Sequence, residues 1–378
     1  MLNIRKVTVA GVVALVVAVF SVTSFLIAPL SIAPSAIAPF SIVSVASADS
    51  GDTDLLARAK ALFSPLPKYA EREDRPLNTD QIALGRALFF ESRVSTDGKQ
   101  SCAQCHQPMF YGTDALPESV GNQGKRIPRN VPTVFNAALQ FAQHWGGNRV
   151  DVEEQAVKAL PSKLAYGNAN LAEAEARLRA IPGYREMFER AFPGEEEPIT
   201  AKNWGIAIGA YERTLLTPAP FDRYIIGDTA AIDDQAKRGL DKFMSYGCAG
   251  CHNGVVLGGQ MFQKFGITQN YWELTGSTEK ELFKGRDKGR YQDTHTEADE
   301  YMFKVAQLRN VAVTPPYFHD GSVATLPHAV RIMGKLQLGR DLSDEDVADI
   351  VAFLDTLTGS VPEQFVVLPT LPVAPYPQ

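Results

Sequence analysis

Cysteine and histidine are scarce in this sequence, and it contains no tract of basic residues. Only 4 cysteines and 6 histidines occur among 378 residues, and all four cysteines fall in two short motifs. Acidic residues outnumber basic residues by 43 to 37 and no basic run is present, so nucleic acid is not an expected partner. Alternation of apolar and polar residues, which is typical of half-buried strands, is not sustained over any length. These absences disfavour a sheet protein and a nucleic-acid-binding domain.

Both cysteine-containing motifs read C-x-x-C-H. This is the attachment motif of a c-type haem, in which two thiols join the haem vinyl groups and the adjoining histidine becomes the proximal iron ligand. The alternatives are two disulfides, one zinc site built from both pairs, or thioredoxin-like redox pairs. A zinc or redox site needs no histidine directly after either pair, so two covalently bound c-type haems are expected. The motif residues are Cys102, Cys105 and His106 in the first copy, and Cys248, Cys251 and His252 in the second.

The N-terminus has the pattern of an export signal. Arg5 and Lys6 precede a run without charged residues that ends in the small residues Ala46–Ala48, which favours a signal peptide over residues 1–48. Residues 7–30 are long enough to span a bilayer, so an uncleaved anchor is the alternative. Because bacteria attach c-type haems outside the cytoplasm, we expect a periplasmic protein.

Helical patterns lead into both haem motifs. A helix is predicted over Thr79–Phe90, before the first motif, and another over Asp233–Tyr246, before the second. Residues 107–150 are rich in Gly, Pro and Asn, and they are expected to be irregular. The fold class is therefore mostly α, with two cytochrome c-like haem domains at 49–222 and 223–378, long irregular loops and a proline-rich tail. Further helices are predicted at Leu55–Phe63, Val152–Leu160, Leu171–Ala180, Tyr184–Ala191, Ala201–Leu215 and Ser343–Leu357.

Several short runs, which are specific in combination, resemble the bacterial di-haem cytochrome c peroxidase family. That family also contains the MauG-type enzymes, which oxidise proteins. The resemblance covers about residues 84–359. It implies that the N-terminal domain reacts with hydrogen peroxide, and that the C-terminal domain relays electrons from a small cytochrome c or a cupredoxin. The matching runs are Leu88–Phe90 with Ser101–Cys102, Pro128–Thr133, Tyr211–Leu215, Gly258–Met261, Leu308–Asn310 and Pro316–Gly321.

The resemblance also implies roles for residues outside the haem motifs. Met333 falls at the position of the second axial ligand of the C-terminal haem, although a methionine on an apolar helix can equally be core packing. MauG-type enzymes have tyrosine there, so Met333 favours an ordinary peroxidase. Trp145 falls at the position of the electron bridge between the haems. A calcium ion is implied at the side chain of Asn130 and the backbone carbonyls of Thr314 and Pro316.

The first haem departs from the family pattern on its distal side. Many relatives have a capping histidine sixteen residues after the proximal one, and this chain has Asn122 there. An amide is a poor iron ligand, so the first haem is expected to be open at rest. His144 is an alternative ligand, although a hydrogen-bonded role beside Trp145 is the preferred interpretation.

The acid–base group of the family is also missing. Peroxide cleavage needs a group that moves a proton between the two oxygens, and relatives have a glutamate about twenty residues after the bridging tryptophan. Here Ala165 falls at that position. Tyr166 or Lys163 could contribute instead, or Gln123 could orient a water molecule. Fast peroxide turnover is therefore in question.

Three functions remain open at this stage. The first is a periplasmic di-haem peroxidase, the second a MauG-like enzyme that uses peroxide to oxidise a partner protein, and the third a non-catalytic electron carrier or sensor. The missing glutamate and distal histidine favour the second, whereas Met333 favours the first. A homodimer is expected by analogy alone.

Overall fold

The computed structural model describes residues 48–373. Residues 1–47 of the predicted export signal, and with them the alternative anchor at 7–30, lie outside the described part. Among the described residues, no helix is long and apolar enough to cross a membrane.

The described chain is mostly helical, as predicted. Fourteen α-helices are joined by irregular segments and short 3₁₀ turns, and one two-stranded antiparallel sheet is present in the described residues. The sheet pairs β1 (Phe262–Lys264) with β2 (Met302–Lys304), and Phe262 lies opposite Lys304. The helices are α1 (Ala48–Leu62), α2 (Thr79–Phe89), α3 (Cys102–Cys105), α4 (Val152–Ala159), α5 (Leu171–Arg179), α6 (Pro182–Ala191), α7 (Ala201–Glu212), α8 (Pro220–Ile226), α9 (Asp234–Ser245), α10 (Tyr271–Thr275), α11 (Tyr291–Thr294), α12 (Leu326–Leu338), α13 (Asp344–Asp355) and α14 (Glu363–Val366).

Buried apolar residues form two cores. The first core contains side chains of α2 and α4–α7, and the second contains side chains of α1, α8, α9, α12 and α13. Each end of the described chain packs against the core formed by the other half. Leu55 of α1 belongs to the second core, whereas Phe365 of α14 belongs to the first. The domain boundary at 222/223 stays a prediction, and the first segment after the predicted signal packs with the second core.

Each haem motif follows a helix that crosses a partner helix at a glycine. A β-carbon at Gly85 of α2 would lie 1.8 Å from the carbonyl oxygen of Ala207 in α7, and one at Gly239 of α9 would lie 1.8 Å from that of Asp349 in α13. Only glycine permits so close an approach of two backbones. Both crossings therefore fix the helix that leads into a haem motif.

The last long helix, α13, begins with a capping box. The Ser343 hydroxyl accepts a hydrogen bond from the Asp346 N–H at 3.1 Å, and the Asp346 carboxylate accepts one from the Ser343 N–H at 3.2 Å. Such a cap stabilises a helix by about 1 kcal/mol. Lys242 of α9 forms ion pairs with Asp346 and Asp349 at 3.0 and 2.9 Å, which ties α9 to α13.

Two local features differ from the sequence-based expectations. Pro220 occupies the first turn of α8, a helix that was not predicted. Proline is tolerated there because the first N–H groups of a helix have no intrahelical partner. The strands β1 and β2 have three residues each, too few for alternation to be detected.

Candidate haem sites

The second motif lies at the end of α9 and presents a buried imidazole. His252 Nδ1–H donates to the backbone oxygen of Leu257 at 3.3 Å. Burial lowers the pKa of His252, so the ring is neutral at pH 7. With Nδ1 occupied by a carbonyl, Nε2 is left as the free ligand atom, which is the orientation that a proximal haem ligand needs.

A cavity of about 300 Å³ adjoins this imidazole. Both thiols of the motif, Cys248 and Cys251, line it together with His252, and Met333 of α12 lines it as well. Its walls are mainly apolar. These residues fit a covalently attached haem with histidine and methionine ligands. The apolar lining includes Phe243, Phe265, Val330, Leu342, Ile350 and Leu354.

The first motif has the same device for orienting its histidine. His106 Nδ1–H donates to the backbone oxygen of Gly112 at 2.8 Å, and burial lowers the pKa of the ring. Gly112 has φ +73°, a left-handed conformation suited to glycine, in the tight turn that aims its carbonyl. Phe89 of α2 packs 6.3 Å from the imidazole, measured between ring centroids. These residues fit a second covalent haem.

The two predicted distal segments of the first site lie against each other. The backbone N–H of Asn122 donates to the Leu164 carbonyl at 3.1 Å. The Asn122 side chain is 2 % exposed, and its amide oxygen accepts a hydrogen bond from the Thr96 hydroxyl at 3.1 Å. Glycine at position 167 allows the backbone to approach the Asn122 side chain closely, since a β-carbon there would lie 2.1 Å from the Asn122 amide nitrogen. The packing holds the Asn122 amide in one place.

Of the candidate acid–base residues, Tyr166 lies beside the attachment site. Its hydroxyl is 3.6 Å from Cys102 Sγ, and its ring packs edge-on against Trp204. Lys163 and Gln123 are exposed to solvent. The backbone N–H of Gln123 donates to the Asp97 carboxylate at 2.8 Å. The roles proposed for these three side chains stay predictions.

The predicted electron bridge and calcium ligands form one contiguous group. The indole N–H of Trp145 donates to the backbone oxygen of Asn130 at 2.8 Å. The Asn130 side-chain amide lies 3.0 Å from the Pro316 carbonyl oxygen. Trp145, Asn130, Thr314 and Pro316 all line the cavity of the second site. Calcium is coordinated by oxygen ligands, and side-chain amide and backbone carbonyl oxygens such as these are suitable neutral ligands.

His144 has the hydrogen-bonded role that was preferred for it. Its Nδ1 lies 2.8 Å from the Asn148 amide oxygen, and the side chain lines the cavity beside Trp145. Burial, and then the positive charge of Arg149, lower the pKa of His144 to about 4. The ring is therefore neutral at pH 7.

The structure rules out a shared zinc site in the described residues. Cys102 packs against the first core and Cys248 against the second, and no disulfide joins any of the four cysteines. Between residues 48 and 373, no three His, Cys, Asp or Glu side chains are grouped as a metal site would need.

Three buried polar side chains near the sites had no predicted role. Glu212 is 5 % exposed and lies close enough to Cys102 for the two groups to interact electrostatically. His319 is 2 % exposed, and its Nε2 has no hydrogen-bond partner. Lys304 is buried in the cavity lining. Glu212 and His319 occur in the runs that carry the family resemblance, which is the only sequence feature that points to them.

Two c-type attachment motifs, each with a histidine oriented by a carbonyl, define a di-haem c-type protein of mostly helical fold. A family model described as di-haem cytochrome c peroxidase matches residues 79–230. The chain is 43% identical to the cytochrome c551 peroxidase of Pseudomonas aeruginosa over 319 residues, which are 84% of this chain and 89% of that protein.

MauG-type proteins are similar as well. The methylamine utilization protein MauG of Methylorubrum extorquens is 33% identical over 345 residues, covering 87% of this chain and 92% of that protein. The solved structure of a MauG-like protein associated with microbial copper homeostasis aligns with a TM-score of 0.68 and 29% identity, over 80% of this chain and 95% of that chain. The chain belongs to the di-haem cytochrome c peroxidase family.

Membership confirms the predicted fold class and the enzyme class, a di-haem cytochrome c peroxidase-like oxidoreductase. The family implies two haems, in agreement with both motifs. It also counts against the third hypothesis, a non-catalytic carrier or sensor. Peroxidases and MauG-type proteins both occur among the relatives.

Proposed function

We propose that the protein reduces hydrogen peroxide to two molecules of water, with two electrons from a small cytochrome c or a cupredoxin and two protons from solvent. Peroxide reacts at the first site, held by His106, and the second site, held by His252 and Met333, stores an electron. Trp145 connects the two sites. Haem, when bound, supplies the iron centre for both the peroxide chemistry and the electron storage.

The difference between the two sites is the observation that carries this proposal. Met333 lines the same apolar cavity as His252, and methionine ligation raises the potential of a haem. Asn122 stands where relatives have a capping histidine, and the hydrogen bonds from Thr96 and to Leu164 hold it. We infer that the first site stays open to peroxide, whereas the second stores an electron.

The resting protein tests this assignment directly. Electron paramagnetic resonance of the oxidised protein should show one high-spin and one low-spin haem, and peroxide with a reduced small cytochrome c should give steady turnover. Met333→Leu should convert the low-spin haem to high spin, because leucine has no ligand atom, while Met261→Leu, at an exposed methionine, should leave it unchanged. Two low-spin signals at rest would contradict the open first site.

MauG-like oxidation of a partner protein is the second candidate. Ala165 and Asn122 leave the first site without the carboxylate and the histidine typical of peroxidases, and the similarity to MauG-type proteins is substantial. In this case no small donor supports turnover, and peroxide alone produces a long-lived oxidised state, which stopped-flow absorption spectroscopy would detect. Rapid turnover with a small donor would favour the peroxidase.

A calcium ion is proposed between Asn130, Thr314 and Pro316. The contact between the Asn130 amide and the Pro316 carbonyl already brings two of the three groups together. Rotation of the amide presents its oxygen in place of its nitrogen. Binding of one calcium ion per chain, measured by calorimetry on chelator-treated holoprotein, should be lost in Asn130→Ala.

We also propose export to the periplasm, with cleavage after Ala48. The support is the charge-free run that ends in small residues, and the requirement for haem attachment outside the cytoplasm. Mass spectrometry of the purified holoprotein should give a chain that starts at Asp49. A chain that retains residues 1–48 in the membrane fraction would establish the anchor instead. A homodimer stays a prediction, which sedimentation analysis can check.

A further inference from the structure

Lys304 is a buried cation at the junction between the two haem-bearing halves. It is the last residue of β2, and its side chain is 7 % exposed. Its backbone N–H donates to the Trp145 carbonyl at 2.8 Å, and its amine donates to the side-chain oxygen of Gln140. Both contacts come from the loop that carries the predicted electron bridge. The amine is thus held at a fixed position in the wall of the second haem cavity.

No carboxylate of the described residues pairs with this amine. Lys304 takes part in none of the ion pairs formed by residues 48–373. Its hydrogen-bond partner, the Gln140 side chain, is neutral. Burial lowers the pKa of Lys304 to about 7, with no acidic side chain to offset the effect. A buried charge without a partner is strongly unfavourable in a folded protein. An anion in the cavity would remove this cost and keep the amine protonated.

The surroundings of Lys304 are positive as well. The charges of Arg149, Lys304 and Arg129 all lower the pKa of His144, which lines the same cavity. Arg129 is neutralised by Asp287, with two contacts at 2.6 and 2.7 Å. Arg149 has a buried Nε without a hydrogen-bond partner and no carboxylate within ion-pair distance among the described residues. This end of the cavity therefore favours an anionic group.

We propose that Lys304 binds a propionate of the second haem and, through its charge, raises the reduction potential of that haem. A haem carries two carboxylates, and the cavity that contains Cys248, Cys251 and His252 extends to the amine. A nearby positive charge favours the reduced iron, which has one positive charge fewer than the oxidised iron. Lys304 is a positioning residue and does not touch peroxide. The proposal depends on haem binding but not on which of the two proposed activities the protein has.

The test is a redox titration of the full holoprotein, followed by absorption of the low-spin haem. Lys304→Met should lower the midpoint potential of the second haem, so that the ratio of reduced to oxidised haem at the wild-type midpoint falls about tenfold. Lys304→Arg should keep the potential close to that of the wild type. Lys264→Met is the matched control, because Lys264 lies on the paired strand and is exposed to solvent. An unchanged potential in Lys304→Met, or an equal fall in Lys264→Met, would overturn the proposal.

A free anion is the competing partner for the amine, and it gives a different result. If chloride or phosphate occupied the position, the wild-type potential would vary with the concentration of that salt at constant ionic strength. The propionate is covalently part of the haem, so no such dependence is expected. This measurement uses the wild-type protein, so a salt dependence would overturn the proposal even if Lys304→Met fails to fold. If the wild type showed no peroxide turnover but Lys304→Met still lowered the potential as expected, the proposed function would be contradicted and the role of Lys304 would stand.

Discussion

The indole N–H of Trp145 donates a 2.8 Å hydrogen bond to the backbone oxygen of Asn130. The proposed electron bridge is thereby joined to the residue whose side chain is the proposed calcium ligand. Asn130 in turn contacts Pro316 across the junction of the two halves of the chain. The position of the indole and the occupancy of the calcium site should therefore depend on each other.

Replacement of Trp145 by phenylalanine should slow electron transfer between the haems. Phenylalanine lacks the N–H donor and leaves the Asn130 carbonyl without this partner, which costs about 1 kcal/mol of stability. Steady-state turnover of Trp145→Phe should fall at least about tenfold if the indole conducts, while haem content and both spin states stay unchanged. Trp272→Phe, in the second half and stacked under Arg286, is the control. Equal turnover in the two variants would exclude the bridge.

Removal of calcium should lower both thermal stability and turnover. A ligand bound only by the folded protein stabilises it by about 2.7 kcal/mol at a free concentration 100 times its Kd. Treatment with a calcium chelator should therefore lower the Tm of the wild type, and added calcium should restore it. In Asn130→Ala the Tm should be insensitive to both treatments. Calorimetric scans with and without chelator measure this, and a chelator effect of equal size in the variant would contradict the assigned ligand.

The crossing of α9 and α13 should not tolerate a side chain at Gly239. A β-carbon there would lie 1.8 Å from the Asp349 carbonyl oxygen, so the helices must separate. We expect Gly239→Ala to reduce the free energy of unfolding by about 1–3 kcal/mol. Gly51→Ala is the matched helical control, because nothing lies within 4 Å of its β-carbon position. Denaturation by urea compares the two variants, and equal midpoints would show that the crossing is not tightly packed.

Glu212 should make the stability of the protein depend on pH. Burial, followed by the charge of Glu153, raises the pKa of Glu212 to about 8, from a usual value of 4.5. The folded state therefore binds a proton that the unfolded state has released. The resulting stabilisation is complete below the unfolded pKa, decreases as the pH rises from there, and is lost by about pH 8, with a maximum slope of roughly 1.4 kcal/mol per pH unit.

Glu212→Gln should remove this contribution, because an amide does not ionise. Relative to the wild type, its free energy of unfolding should increase as the pH rises from 5 to 8. Urea denaturation at both pH values measures the difference. Glu197→Gln, at an exposed glutamate of the same half, should follow the wild type at both pH values. A parallel pH dependence in Glu212→Gln and the wild type would assign the effect to other groups.

Much of the fold followed from local sequence patterns. The helices α2, α4, α9 and α13 begin and end within one or two residues of their predicted bounds, because their capping residues and apolar spacing lie within each segment. The short strands β1 and β2 and the helix that starts at Pro220 were not predicted. Three-residue strands give no periodic pattern, and a proline at a first helical turn resembles a helix stop in sequence.

The residues of the candidate sites also fall into those that local sequence predicts and those that it does not. The haem-binding cysteines and histidines could be predicted, because attachment needs only five consecutive residues. Met333, Trp145 and Asn130 required the family resemblance. Glu212 and Lys304 escaped prediction, because nothing near them in the chain distinguishes a buried carboxyl or amine from an exposed one. Their burial depends on segments that are distant in sequence.

The sequence by itself determined that the protein has two c-type haem motifs in a mostly helical chain, because these properties depend on neighbouring residues. Only the tertiary structure decided what surrounds each motif. It placed Tyr166 at Cys102 and Lys304 in the cavity of His252. It also joined Trp145 to Asn130. These contacts arise from the packing of two cores, each of which includes residues from the far end of the chain. No local sequence pattern encodes that packing.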